Sequence, residues 1–108
     1  MVECCPDLVF IDNDKLLCQA WQVKADFLGK KILCFHSVDE FQSSMSSISE
    51  RTPVYIDSDL GNGLLGEHES KKLYDAGYKI IYLSTGKSKT AITKPDWVLD
   101  IVDKAPPF

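Results

Sequence analysis

Acidic side chains that could hold a cation or attack phosphorus follow two short apolar runs. Asp12 and Asp14 come after the apolar residues 8–11, and Asp57 comes after the apolar residues 54–56. Carboxylates crowded together repel one another unless a cation is bound, so this set predicts a hard, oxygen-preferring metal such as Mg²⁺. A carboxylate in that setting can act as a nucleophile toward phosphorus and form an aspartyl phosphate.

A hydroxyl and an ammonium group follow two later apolar runs. Thr85 comes directly after residues 79–84, and Lys104 comes shortly after residues 97–102. Catalysis of phosphoryl transfer consists mostly of positioning and charge stabilisation, and both groups can donate to phosphoryl oxygens. The candidate catalytic residues are therefore Asp57, Thr85 and Lys104.

These residues need elements that bring them together. The apolar runs predict five buried strands, at residues 7–12, 31–36, 53–57, 79–84 and 97–102. Helical patterns lie between them, so the predicted fold is α/β, with a doubly wound, five-stranded parallel sheet. In such a sheet the binding crevice lies at the carboxyl ends of the strands, where the strand order reverses. We therefore expect the chemistry-bearing residues to converge in one pocket.

The helical segments differ in length. The first, residues 15–28, carries an apolar stripe predicted to face the core: Leu16, Ala20, Val23 and Phe27, widened by Leu17, Trp21 and Leu28. The pattern Ser37 to Glu40 is a capping box that begins the second helix, and the third is expected at residues 67–76. Residues 87–93 leave room for a short fourth helix, and no fifth helix is expected.

Composition narrows the class of protein. The chain has 108 residues, a net charge of −4 and 12 scattered Lys and Arg residues, which argues for one domain over residues 1–108 and against a nucleic-acid partner. It lacks a targeting or membrane-spanning run, so we expect a cytoplasmic protein without membrane contact. The four cysteines lack metal-binding spacing, and Cys18 and Cys34 are expected to be buried thiols.

Four motifs carry a resemblance to a known family. They are Phe-Ile-Asp-Asn-Asp at residues 10–14, Tyr-Ile-Asp-Ser-Asp at 55–59, Leu-Ser-Thr-Gly at 83–86 and Lys-Ala-Pro-Pro-Phe at 104–108. In this order and at these separations, the chain resembles a CheY-like receiver domain of a response regulator, especially those at the C-terminus of hybrid histidine kinases. The resemblance implies a flavodoxin-like strand order of 2-1-3-4-5 and a place in a larger hybrid kinase.

The resemblance also implies roles for individual residues. Asp57 would take a phosphoryl group from a histidine kinase or a histidine phosphotransfer domain, which makes the chain a signalling domain rather than an enzyme. Mg²⁺ would be held by Asp12, Asn13 and Asp57, and by the backbone carbonyl of Asp59. Thr85 and Lys104 would contact the phosphoryl oxygens, and Thr85 would shift inward on phosphorylation.

Departures from the family pattern keep other functions open. Asn13 occupies the second acidic position, and Ile101 stands where the family has an aromatic residue. These changes favour a pseudo-receiver, which keeps the fold and binds partners without being phosphorylated. The face through which family members dimerise is incomplete, so any homodimer is expected to be weak. A phosphatase of the haloacid-dehalogenase type would also use Asp57-Ser-Asp59, but it needs a longer chain after that motif.

Overall fold

Strands and helices alternate along residues 6–86 and 92–108, which are the residues described by this structure, a computed structural model. The strands are β1 (Leu8–Ile11), β2 (Ile32–Phe35), β3 (Val54–Asp57), β4 (Ile81–Ser84) and β5 (Asp100–Val102). The α-helices are α1 (Lys15–Phe27), α2 (Val38–Gln42) and α3 (Gly66–Asp75), and a 3₁₀ turn covers Met45–Ser47. None of the helices in these ranges is long and apolar enough to cross a bilayer.

The strands form one five-stranded sheet in the order β2-β1-β3-β4-β5, and every pairing is parallel. The predicted α/β sheet and its strand order are therefore confirmed. Ile11 pairs with Ile56, and Asp57 pairs with Ser84, so the carboxyl ends of β1, β3 and β4 lie side by side. The strand order reverses between β1 and β3, the position where such sheets form a crevice.

Two apolar layers enclose the sheet. On one face, α1 packs against β1 and β2 through a cluster that includes Phe10, Trp21 and Ile32. On the other face, α2 and α3 cover a larger cluster that includes Ile56, Leu73 and Leu83. All four residues of β1 are buried, which explains why this strand is a continuous apolar run.

The predicted core stripe of α1 is only partly correct: Trp21 and Leu17 on its edge are buried and half-buried, whereas its central residues are exposed. Leu16, Val23 and Phe27 are 77%, 68% and 88% exposed, and Ala20 is also exposed. The residues that face the core are Cys18, Trp21 and Ala25. This rotation of the helix buries Trp21 completely and stacks it on Phe10 with 3.8 Å between ring centroids. A buried tryptophan contributes more apolar area than any of the four exposed residues, so the rotation that buries it most completely is favoured.

The capping box at the start of α2 is only partly as predicted. The Ser37 hydroxyl accepts from the Glu40 amide at 3.1 Å, as expected. The Glu40 carboxylate accepts from the amide of His36 instead of Ser37, at 3.2 Å. α2 then ends at Gln42, before a run rich in serine, because serine side chains compete for backbone hydrogen bonds.

The segment after β4 bears on the predicted fourth helix. Residues 87–91, most of that segment, lie outside the described residues. Residues 92–99 and 103–108 contain no helix.

Gly66, the first residue of α3, lies against the backbone of β3. A Cβ there would collide with the carbonyl oxygen of Asp57, and the Gly66 amide donates to the carbonyl of Ser58 at 2.9 Å. Because the obstacle is backbone, we predict that Gly66→Ala lowers the free energy of unfolding by about 2–3 kcal/mol in urea titrations. Gly63→Asn is the control, since Gly63 has φ +78 with open space around it and Asn tolerates that conformation. Equal losses in the two variants would contradict the prediction.

Candidate functional site

The Lys104 ammonium lies between two buried carboxylates at the carboxyl ends of β1 and β3. Its Nζ donates to Asp12 Oδ2 at 2.8 Å and to Asp57 Oδ1 at 2.6 Å. These contacts join residues that are 92 and 47 positions apart in the sequence. The fold thus gathers the three charged groups into one ion-paired cluster.

Asp12 is held on both of its carboxylate oxygens. It is 1% exposed, and its second oxygen, Oδ1, accepts from the Asp14 amide at 2.8 Å. Asp14 has a different role, because its Oδ1 accepts from the amides of Leu16 and Leu17 at 3.0 and 3.1 Å. Asp14 is therefore the N-cap of α1, a position where a carboxylate stabilises the helix start.

Asp57 is 6% exposed and has an unusual ionisation. Burial raises its pKa to about 6, the Lys104 ammonium and the Asp59 amide oppose that rise, and the Asp12 carboxylate adds to it. Its Oδ1 accepts from the Asp59 amide at 3.1 Å as well as from Lys104. At neutral pH the carboxylate is mostly ionised, yet poorly solvated and anchored on one oxygen.

Thr85 lies at the carboxyl end of the neighbouring strand, β4. It lies one residue beyond β4, is 2% exposed, and its amide donates to the carbonyl of Val102 at 3.0 Å. Thr85 lines a cleft of about 500 Å³ at the carboxyl edge of the sheet. All of the site residues predicted from the sequence line this same cleft: Asp12, Asn13, Asp57, Asp59, Thr85 and Lys104.

The loop between β3 and α3 forms the rim of the cleft. The Asp59 carboxylate accepts from the Gly61 amide at 3.0 Å, so this side chain stabilises the loop itself. Gly61 has φ +81 and lies close to Asn13, since a Cβ on it would come within 2.8 Å of Asn13 Nδ2. The Asn13 side chain is therefore packed against the rim loop.

Trp21 is a site-positioning residue that sequence reasoning did not identify. Its indole Nε1 donates to the backbone carbonyl of Lys104 at 3.1 Å. The same ring stacks on Phe10 and meets Phe108 edge-on, with 6.0 Å between the last pair of centroids. The buried ring thus fixes the segment that carries Lys104. The sequence shows only a tryptophan in an amphipathic helix, and this does not reveal that its indole contacts Lys104, which lies 83 positions away.

The side chains in the cleft fit a Mg²⁺ site that has two carboxylate ligands from the protein. Among residues 6–86 and 92–108, no group of three or more His, Cys, Asp or Glu side chains lies close enough to hold a metal ion. The site instead offers the two carboxylates of Asp12 and Asp57, which share one ammonium. Mg²⁺ usually binds through one or two carboxylates together with waters and phosphate oxygens. Lys104 would have to share these carboxylates with the cation.

Cys18 lies directly behind Asp12, and it is buried as expected. Its thiol donates to the Asp12 carbonyl at 3.4 Å, and burial raises its pKa to about 12. Cys34 is half-buried, and burial raises its pKa as well. Both cysteines are free thiols, and their protonated state at neutral pH makes them poor nucleophiles and weak metal ligands.

Comparison with known proteins bears on the fold. Neither a family model nor a curated protein matches the sequence. A CheY-like response regulator receiver domain protein from Methanospirillum hungatei matches the structure with a TM-score of 0.73, 12% identity, and coverage of 97% of this chain and 84% of that one. The chain has the receiver-domain fold.

A second solved structure agrees. The N-terminal domain of a response regulator/sensory box/GGDEF 3-domain protein from Carboxydothermus hydrogenoformans matches with a TM-score of 0.68 and 11% identity. The match covers 91% of this chain and 81% of that chain. Because identity is so low, these neighbours establish the receiver fold alone. The chemistry of this chain has to be argued from its own side chains.

The pKa of Asp57 makes the stability of the receiver fold depend on pH. The pKa is raised from 3.8 to about 6, so the protonated carboxyl favours the folded state. That contribution is complete below about pH 4 and is lost as the pH rises through about 6. We predict that Asp57→Asn is more stable than the parent by about 1–3 kcal/mol at about pH 7.5 in metal-free buffer.

The stability difference is expected to shrink toward zero as the pH falls to about 4. Urea unfolding with EDTA at three pH values measures it. A difference that stays constant over this range would show that burial of the Asp57 carboxylate does not destabilise the folded state.

Proposed function

We propose that this chain is a phosphoacceptor receiver domain of two-component signalling, and that Asp57 accepts the phosphoryl group. The observation that carries the proposal is the position of Lys104 Nζ, which contacts both Asp12 and Asp57 at the carboxyl ends of adjacent strands. The receiver fold supports it, because the same crevice is the binding position in this class of sheet.

The reaction begins at the Asp57 carboxylate. With a pKa of about 6, this group is mostly ionised at neutral pH and can attack phosphorus. The new O–P bond forms as the P–N bond of a phosphohistidine breaks, and the histidine nitrogen keeps the bonding electron pair. A histidine kinase or a histidine phosphotransfer domain is the donor in this proposal.

The neighbouring groups would stabilise the phosphoryl oxygens. Lys104 already contacts Asp57, so its ammonium needs only a small movement to donate to an oxygen on the new phosphoryl group. The Thr85 hydroxyl, at the end of β4, is proposed to be a second donor. Mg²⁺, held by the Asp12 and Asp57 carboxylates and the Asp59 carbonyl, would supply positive charge to the phosphoryl oxygens.

The conformational switch would differ from that of other family members. Ile101 is 6% exposed and belongs to the apolar cluster on the α2 and α3 face, so no aromatic side chain moves at this position. We infer that a shift of Thr85 is transmitted through β5, because its amide is bonded to the carbonyl of Val102. The neighbouring Ser84 hydroxyl donates to the carbonyl of Asp103 at 3.3 Å and strengthens this link.

A pseudo-receiver is the second candidate. In favour of it, Lys104 already gives both carboxylates an ammonium partner, and Asn13 replaces an acid and packs against Gly61. The haloacid-dehalogenase alternative is less well supported, since the second carboxylate of its Asp-x-Asp motif, Asp59, accepts from the Gly61 amide within the loop. The fold neighbours are also receivers. Under either receiver reading, we place the chain in the cytoplasm with protein partners and without nucleic acid.

Phosphorylation can be measured by intact mass. We predict that acetyl phosphate with Mg²⁺ adds one phosphoryl group, that EDTA prevents the addition, and that hydroxylamine removes the group, as expected of an acyl phosphate. Asp57→Asn should abolish the gain in mass. Asp75→Asn is the matched control, because Asp75 is an exposed acid on α3 whose ion pair with Lys71 contributes little. This variant should be modified like the parent.

Two outcomes would contradict the proposal. A parent chain that remains unmodified with acetyl phosphate and Mg²⁺ would favour the pseudo-receiver. Sustained hydrolysis of a phosphate ester by the parent chain would favour the phosphatase.

A further inference from the structure

The loop that forms the rim of the candidate cleft reverses direction at residues 61–64, here called the rim turn. The Leu64 amide donates to the carbonyl of Gly61 at 2.9 Å, and φ is +54 at Asn62 and +78 at Gly63. A turn with positive φ at both central positions is type I′, for which Asn-Gly is a preferred sequence. Among the described residues, Asn62 is the one non-glycine residue with positive φ.

The rim turn places two groups that can react with each other at neighbouring positions. Asn62 and Gly63 are exposed, and in the described part of the chain no hydrogen bond uses the Asn62 side chain or the Gly63 amide. The side-chain amide carbon of an asparagine and the backbone nitrogen of the next residue can close a cyclic imide. A glycine at the second position leaves this nitrogen unobstructed and lets the backbone rotate. The rim turn therefore has the groups for a reaction within the chain.

The other of the two asparagines in the chain, Asn13, lacks this combination. It is exposed too, but the next residue is Asp14, whose amide donates to Asp12 Oδ1 at 2.8 Å. The nitrogen that would attack is thus held in a hydrogen bond, and the Asp14 side chain caps α1. The fold therefore protects Asn13 and leaves Asn62 reactive.

We propose that Asn62 is a site of spontaneous deamidation, which converts it to isoaspartate and aspartate through a cyclic imide. After losing its proton, the Gly63 nitrogen attacks the side-chain amide carbon of Asn62. The new C–N bond forms as the bond to the side-chain nitrogen breaks, and that nitrogen takes the electron pair and a proton and leaves as ammonia. Water then opens the ring. Attack of water at the backbone carbonyl gives isoaspartate, and attack at the side-chain carbonyl gives aspartate.

The rate is set by how easily the rim turn opens. In a type I′ turn the left-handed backbone of Asn62 points the Gly63 nitrogen away from the side chain, so the turn has to open before the ring can close. Left-handed backbone is unfavourable for an L residue, and a surface hydrogen bond adds little stability. We expect the reaction at Asn62 to be slower in the folded than in the unfolded chain by about tenfold to a hundredfold. It should still be faster than at Asn13 of the folded chain by about tenfold or more.

Isoaspartate would change the rim of the cleft. It adds one methylene to the backbone, and a type I′ turn fits only a link of two ordinary residues. The bond from the Leu64 amide to the Gly61 carbonyl is then lost, and the bond from the Leu60 amide to the Leu64 carbonyl, 3.0 Å in the parent, is weakened. Because Gly61 lies against Asn13, the mouth of the cleft loosens while the ion-paired cluster inside it stays in place.

The test is the modification state of the full chain after several weeks at mildly alkaline pH, with a sample in urea as the unfolded reference. Peptide mass spectrometry locates the gain in mass that accompanies conversion of an amide to a carboxyl. Methyl transfer by an isoaspartyl methyltransferase with labelled S-adenosylmethionine counts the isoaspartate. We expect the modification at Asn62 and a more acidic species on ion exchange, since each event adds one negative charge to a chain of net charge −4.

Asn62→Gly is the matched control, because Gly-Gly also forms a type I′ turn and offers no side-chain amide. This variant should accept no methyl groups beyond background. The proposal is overturned if Asn62 stays unmodified in the folded chain while it reacts in urea, if folded Asn13 reacts as fast as Asn62, or if Asn62→Gly accepts methyl groups like the parent.

Hydrogen exchange tests the structural consequence. In the isolated isoaspartate form, we expect the amides of Leu60 and Leu64 to exchange faster than in the parent by about tenfold or more. Freshly prepared Asn62→Asp has the same added charge and an ordinary backbone, so its amides should exchange like those of the parent. Equal exchange in the isoaspartate form and in Asn62→Asp would contradict opening of the rim turn by the extra methylene.

Discussion

Placing two carboxylates at the ends of neighbouring strands creates a repulsion that the fold has to offset. Asp12 and Asp57 are 1% and 6% exposed, so water does little to screen their charges. The Lys104 ammonium, at 2.8 and 2.6 Å from the two side chains, supplies the opposite charge. Removing the ammonium would leave two buried carboxylates without a counter-charge, at a cost of about 3–5 kcal/mol. The cleft therefore depends on where Lys104 is held.

Several parts of the molecule hold Lys104 close to the two carboxylates. The parallel register brings the ends of β1 and β3 together, and Gly66 lets α3 start against the backbone of Asp57. Trp21 anchors the Lys104 carbonyl from inside the α1 layer. The functional proposal builds on the same interaction, because an ammonium that contacts both carboxylates is well placed to stabilise an incoming phosphoryl group. The burial that shapes the cleft, together with the Asp12 carboxylate, also raises the pKa of Asp57.

Much of the fold could be predicted because its signals are local. Each strand is a short apolar run bounded by polar residues, and the alternation of strands and helices restricts the topology to a few possibilities. The residues of the cleft could be predicted for the same reason, since Asp12, Asp57 and Thr85 all follow strands. The bounds of the strands were predicted one to three residues too long, mostly because the predicted segments included flanking residues such as Asp7, Lys31 and Lys79, which the strands leave out.

The features that escaped prediction depend on distant contacts. The α1 sequence carries two apolar stripes, and only the stacking of Trp21 on Phe10 of another element selects the buried one. The position of Asn13 against Gly61 depends on the loop after β3, which periodicity does not describe. The bond from Trp21 to Lys104 joins opposite ends of the chain. The buried rotation leaves Leu16, Val23 and Phe27 exposed on the outer side of α1.

The most direct measurement of the central interaction is the titration of the Asp57 side-chain carboxyl by ¹³C NMR, in the parent and in Lys104→Met, without metal. In the parent we expect a pKa of about 6. Because Lys104 favours the ionised form, its removal should move that pKa upward, by about one unit or more. A pKa of Asp57 that is the same in both proteins would contradict the claim that the Lys104 ammonium holds the carboxylate pair together.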